Sequence, residues 1–205
     1  MTYMIVNYDK QFLFVHIQKT GGTSIASSLF SNSHTQMLYN EHTLIKDVPY
    51  DRTDGLFKFA FVRNPWDRLY SWYNMSLSKG PINKFHTYTL RHSSSFLEFL
   101  HCTDIITEDI DVTDRSIPYF KSIAFNQLDY ISDAKGDLNV DFIGRFENID
   151  QDFQFVCDKL NLKTDKLPHF NKFPHAPYRD QYTQEAIDRV YGMYKRDIEY
   201  FNYEF

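Results

Sequence analysis

The chain has 205 residues, 42% of them hydrophobic and 24% charged, proportions that suit one globular domain, residues 1–205, burying its own core. Its formal net charge of −5 argues against a protein that coats nucleic acid, because counterion release needs a basic face. The two cysteines, Cys102 and Cys157, lie far apart and lack neighbours at metal-ligand spacing, so neither a disulfide framework nor a metal site is expected. No apolar run reaches the roughly 18 residues of a membrane span, and MTYMIVNYDKQFLFVHI lacks the basic-then-apolar order of an export signal. The expected location is the reducing cytoplasm.

In chain order, Phe12–Ile17 is a short apolar run, and QKTGG after it leads into TSIASSLF, which reads as a helix. A second run, Phe57–Val62, stops at Arg63-Asn64-Pro65, where Asn64 suits a helix N-cap and Pro65 the first helical position. Trp66, Leu69, Tyr70, Tyr73 and Leu77 then recur at helical spacing and predict one buried stripe. The stretch from Lys79 to Pro118 is polar and irregular, with a short helix near Phe96–Leu100. A third run, Val140–Phe146, precedes Asn148, which can cap a helix through Leu160 with Ile149, Phe153, Val156 and Leu160 inward. The segment Leu167–Tyr182 reads as an ordered loop. A last helix over Thr183–Phe201 should bury Ile187, Val190, Tyr191, Tyr194, Ile198 and Phe201 on one face. Strands alternating with helices predict an α/β fold with a central parallel sheet flanked by helices.

In such a sheet, ligands sit at the carboxyl ends of strands, where loops open into helix N-termini. The first of these loops is KTGGTS. Gly21 and Gly22 let backbone amides approach an anion, Thr23 and Ser24 open the helix, and Lys19 adds a point charge. The nucleoside-triphosphate loop carries its lysine after the glycines; here it comes before them, which disfavours an ATPase or kinase. At the second strand end stands Arg63, with Ser71 two turns into the following helix, and guanidinium plus hydroxyl makes a good phosphate grip. Two anion-binding loops suit a ligand with separated phosphates. Between Arg68 and Leu97 the charged residues are all basic, and between Glu98 and Asp114 all acidic. That pattern reads as two solvated stretches or as a basic rim around an anionic ligand.

FVHIQKTGGTSI resembles the 5′-phosphosulfate loop of carbohydrate sulfotransferases that use 3′-phosphoadenosine 5′-phosphosulfate (PAPS). FAFVRNPWDRLYSWY resembles their 3′-phosphate motif, an arginine with a serine eight positions later. DFIGRFENIDQDF, LPHFN, YRDQYT and DIEYFNYEF are similar to the bacterial members of the heparan 2-O-sulfotransferase-like group. The resemblance implies a P-loop-like sulfotransferase fold and transfer of a sulfuryl group from PAPS to an acceptor hydroxyl, on a carbohydrate, without a metal, leaving 3′-phosphoadenosine 5′-phosphate (PAP).

By the same resemblance, Lys19, Thr20, Gly21, Gly22, Thr23 and Ser24 hold the phosphosulfate, and Arg63 with Ser71 holds the 3′-phosphate. Among eight histidines, His42 in NEHTLIKD matches the position of the family's general base, with Glu41 as the alternative base or a partner orienting the ring; an imidazole titrates near working pH. His16 lies inside the first strand and reads as a core residue. Arg145 and Glu147 follow the third strand toward the ligand edge, and Asn171, Lys172 and Arg179 belong to a loop able to close over nucleotide or meet the acceptor. A kinase for a nucleoside or adenylylsulfate, and a nucleotide-binding module without catalysis, are the competing readings.

Overall fold

The computed structural model describes residues 4–31, 35–39, 43–79, 91, 93–101, 123, 125–163, 167–168 and 177–205. They fall into two compact units, one built from residues 1–63 and 127–171, the other from 64–126 and 172–205.

The first unit holds a five-stranded sheet. Two strands not expected from the sequence, β1 (Met4–Asn7) and β3 (Gln36–Tyr39), join β2 (Phe12–Val15), β4 (Phe57–Val62) and β5 (Phe142–Arg145) in the order β3-β1-β2-β4-β5. β2, β4 and β5 run parallel, with Val15 opposite Ala60 and Val62 opposite Arg145. β1 pairs antiparallel with both β2 and β3. The sheet is therefore mixed, which corrects the expectation of a wholly parallel one. β1 returns into β2 through Tyr8–Gln11, where Gln11 takes a left-handed φ of 52° and the Asn7 side chain accepts the Lys10 N–H at 2.8 Å.

β2 and the Phe59–Val62 end of β4 are apolar and buried throughout because both faces are covered there. Phe12, Phe14, Phe59 and Phe61 pack with Ile25 and Leu29 of α1 (Gly22–Phe30) and with Phe153, Val156 and Cys157 of α4 (Ile149–Leu160), all buried. Ile149 and Leu160 are partly buried against this cluster, as their spacing predicted. α4 ends on Asn161, whose φ of 49° and ψ of 49° give a left-handed stop without glycine. Gly144 of β5 is needed for packing, since a Cβ there would overlap the Phe61 ring. A short helix, α3 (Gln127–Ile131), and 3₁₀ turns at Ile45–Asp47, Tyr50–Arg52 and Phe146–Asn148 also belong to this unit.

The second unit is helical. α2 (Pro65–Lys79) begins as predicted, with the Asn64 side-chain oxygen accepting the Trp66 N–H at 3.1 Å. Its buried face differs from the predicted stripe: Trp66, Leu69, Tyr70, Trp72 and Ser76 are buried, whereas Leu77 is exposed. Residues 96–101 form the short helix expected there. The expected final helix is two, α5 (Gln184–Met193) and α6 (Lys195–Phe201). Tyr194 leaves helical geometry between them, with φ −119° and ψ 29°, and its hydroxyl donates to the Ile123 carbonyl at 2.6 Å. After this break the buried positions are Tyr194, Asp197, Ile198 and Phe201, while Tyr191 stays exposed. Trp66 and Tyr182 tie α2 to the C-terminal segment: the Trp66 indole donates to Ile187 O and the Tyr182 hydroxyl to Trp66 O. No helix among the described residues is long and apolar enough to cross a membrane.

Candidate functional site

Because β2, β4 and β5 are parallel and in register, the segments that leave them emerge at one edge of the sheet. After β2, His16 and Ile17 are still buried, and the chain turns at Lys19 and Gly21, both with positive φ, 67° and 83°. Thr20 is buried and its hydroxyl donates to Ile17 O at 2.9 Å, so its side chain shapes the turn. α1 then starts at Gly22 with Gly21 as its N-cap, and no side chain caps it. The Gly21 carbonyl takes the amides of Ser24 and Ile25, at 3.0 and 3.3 Å. A glycine-capped helix start offers its first amides and the positive end of its dipole to an anion. Thr23 is exposed at this start and Ser24 is buried.

Each glycine of the pair answers to a different neighbour. A Cβ on Gly21 would strain its left-handed backbone, overlap Cδ1 of Ile149 and lie 3.2 Å from the Phe146 ring. One on Gly22 would fall on the His16 imidazole. His16 is thus a packed residue, as read from the sequence: it is 4% exposed and stacks on Phe14 with ring centroids 5.6 Å apart.

Burial drives the His16 pKa down from the usual 6.5 to about 3, keeping the imidazole neutral. Above pH 6.5 the group is neutral folded or unfolded and contributes nothing to pH dependence. Below 6.5 the unfolded chain takes up a proton that the folded one refuses, so stability falls until about pH 3. The loss attributable to this residue between pH 6.5 and 5 is about 2 kcal/mol, at about 1.4 kcal/mol per pH unit. Urea unfolding at pH 7 and pH 5 checks this: His16→Gln is expected to be less sensitive to acid than the wild type by about that amount, and equal acid sensitivity would refute it.

At the end of β4 the Arg63 guanidinium crosses to the first loop. It donates to the Lys19 carbonyl at 3.1 Å, its Cζ lies 4.0 Å from the centroid of the Phe146 ring, and the residue is 7% exposed. Phe146, directly after β5, therefore lies against both Arg63 and Gly21 and brings the third strand end into the same cluster. Arg145 gives its backbone N–H to the Asp152 carboxylate at 2.6 Å, and Glu147 is exposed in a short 3₁₀ turn. The structure places Lys19, Gly21, Gly22, Arg63 and Phe146 around these strand ends, and the Gln127 side chain meets the Arg63 backbone there; the sequence singles out neither Phe146 nor Gln127. Aromatic rings are too frequent here, at 18% of residues, for Phe146 to stand out, and a lone glutamine carries no motif.

Ser71 lies on α2, in the second unit, and is half-buried. Arg179 is also in that unit, exposed, with its guanidinium 4.9 Å from the Tyr178 ring centroid. His42, Glu41, Asn171 and Lys172 lie outside the described residues. Among the described residues no group of three or more His, Cys, Asp and Glu side chains could hold a metal ion.

No curated protein and no solved structure matches the chain. The model of the sulfotransferase family matches residues 2–204. With that match covering nearly its whole length, the chain belongs to the sulfotransferase family.

Proposed function

We propose that this sulfotransferase uses PAPS as its donor, in a P-loop-like site at the β2 and β4 ends, and sulfates a hydroxyl on a carbohydrate acceptor. The observation that carries the reading is the bond from the Arg63 guanidinium to the Lys19 carbonyl, which fixes the two anion-suited loops at a set spacing. A ligand with phosphates at both its 3′ and 5′ positions is the kind of molecule that needs such spacing.

In this reading the amides of Gly21, Gly22 and Thr23, with the Thr23 and Ser24 hydroxyls, hold the 5′-phosphate. Arg63, at the end of β4, holds the 3′-phosphate. Lys19 places its ammonium beside the bridging oxygen between phosphorus and sulfur. His42 takes the proton of the acceptor hydroxyl as the acceptor oxygen bonds to sulfur and the sulfur–oxygen bond to the 5′-phosphate breaks, so that PAP leaves. The charge that develops on the leaving phosphate meets Lys19 and the α1 amides, an in-line transfer that needs positioned donors and no metal.

Titration calorimetry tests the donor assignment. PAP is expected to bind far more tightly than AMP, and Arg63→Ala to remove most of that preference. A charge-assisted contact contributes about 1.5–3 kcal/mol, equivalent to roughly 10- to 150-fold in affinity. Equal affinities for PAP and AMP in the wild type would sink the donor assignment, and unchanged discrimination in the variant would make Arg63 purely structural.

A further inference from the structure

Arg63 lies one residue beyond the last ladder pair of β4, Val62 opposite Arg145. Its backbone is held by the side chain of Gln127, the first residue of α3 and 64 positions away. The Gln127 Oε1 accepts the Arg63 N–H at 2.8 Å, and the Gln127 Nε2 donates to the Arg63 carbonyl at 2.9 Å. Gln127 is 0% exposed. A primary amide is the side chain that satisfies a backbone donor and acceptor together, extending the ladder by one residue where the strand pairing has stopped. Closing both bonds on one residue fixes the direction in which the Arg63 side chain leaves the backbone. From there it runs over Phe146 to Lys19 O.

We infer that Gln127 is a positioning residue for recognition of the donor's 3′-phosphate: its amide clamps the Arg63 backbone and so aims the guanidinium. This rests on the donor reading above. Gln127 touches no ligand in this account and acts through Arg63, so its removal should lower discrimination between PAP and AMP rather than nucleotide affinity in general.

The test is a cycle of four proteins, wild type, Gln127→Met, Arg63→Ala and the double variant, each titrated calorimetrically with PAP and with AMP. Methionine keeps the volume of glutamine and forms neither bond. The ratio of the two affinities is expected to fall about 10-fold in Gln127→Met, with AMP binding within about 2-fold of wild type, and to fall no further when the substitution is made on top of Arg63→Ala. An unchanged ratio, an equal loss for both nucleotides, or a full additional drop in the Arg63→Ala background would each overturn the inference. Should Gln127→Met fail to fold by circular dichroism, Gln127→Glu serves instead. It retains an acceptor for the Arg63 N–H but sets a carboxylate oxygen against the Arg63 carbonyl, and the same loss of ratio is expected. A wild type without preference for PAP would overturn the donor reading and this inference together, whereas a wild-type preference that survives both variants would overturn this inference alone.

Discussion

Gly22→Ala is expected to weaken PAP binding by about 10- to 100-fold, measured by calorimetry. The new methyl group would occupy the place of the His16 ring, and that ring has nowhere simple to go: it is stacked on Phe14 and buried at the end of β2. Overpacking of a filled interior costs about 1–3 kcal/mol, and each 1.4 kcal/mol is about tenfold in affinity. The side that yields should be the α1 start, because the strand behind His16 is locked between β1 and β4. Moving that start displaces the amides of Gly22 and Thr23 from the anion. The double variant His16→Ala with Gly22→Ala makes room for the methyl and should recover much of the affinity. No loss in Gly22→Ala, or a loss that the second substitution leaves untouched, would show that the contact between these residues does not set the loop.

A larger effect is expected in turnover from His42→Ala, about 10²–10⁴-fold, the usual worth of general acid–base catalysis. Donor affinity should stay near the wild-type value, since a base for the acceptor touches neither phosphate. The wild-type rate should rise with pH through a value near the ordinary histidine pKa, roughly 6.5, and the variant should lose that limb. Rates on a panel of labelled sugar acceptors, read with PAPS, give the measurement. If Glu41→Ala is crippled and His42→Ala is not, the base is Glu41. If both turn over normally, neither is the base, and Glu147 becomes the next residue to test. The pH limb also separates His42 from His16, because His16 is held neutral down to about pH 3 and cannot produce a transition near neutrality.

What the sequence made legible is tied to features with a local physical cause. β2 and the Phe59–Val62 end of β4 announce themselves as apolar runs because a strand covered on both faces has no polar side to show. The α2 start follows from Asn64 and Pro65, and the double glycine of the first loop marks backbone that must turn tightly and approach a ligand. β1 escaped because the β1–β2 turn places Gln11, not a glycine, in the left-handed region. The usual hairpin signal is therefore missing. The break at Tyr194 was hidden for a related reason. Its helical spacing continues through the break, and only the tertiary bond to Ile123 O shows why the helix yields there. At the site, Lys19, Gly21, Gly22 and Arg63 were legible as motifs. Gln127 was not, because its role depends on meeting residue 63 from far along the chain, and no local pattern encodes that meeting.

The left-handed backbone of Lys19, with φ 67°, has an evolutionary consequence. A non-glycine residue in that region costs the folded chain about 1 kcal/mol relative to glycine. Selection for folding alone would place glycine or asparagine at position 19, where the turn would form with less strain. In the donor reading proposed above, a lysine there is a concession of stability kept for its ammonium, and drift toward glycine would give a sturdier protein without that charge.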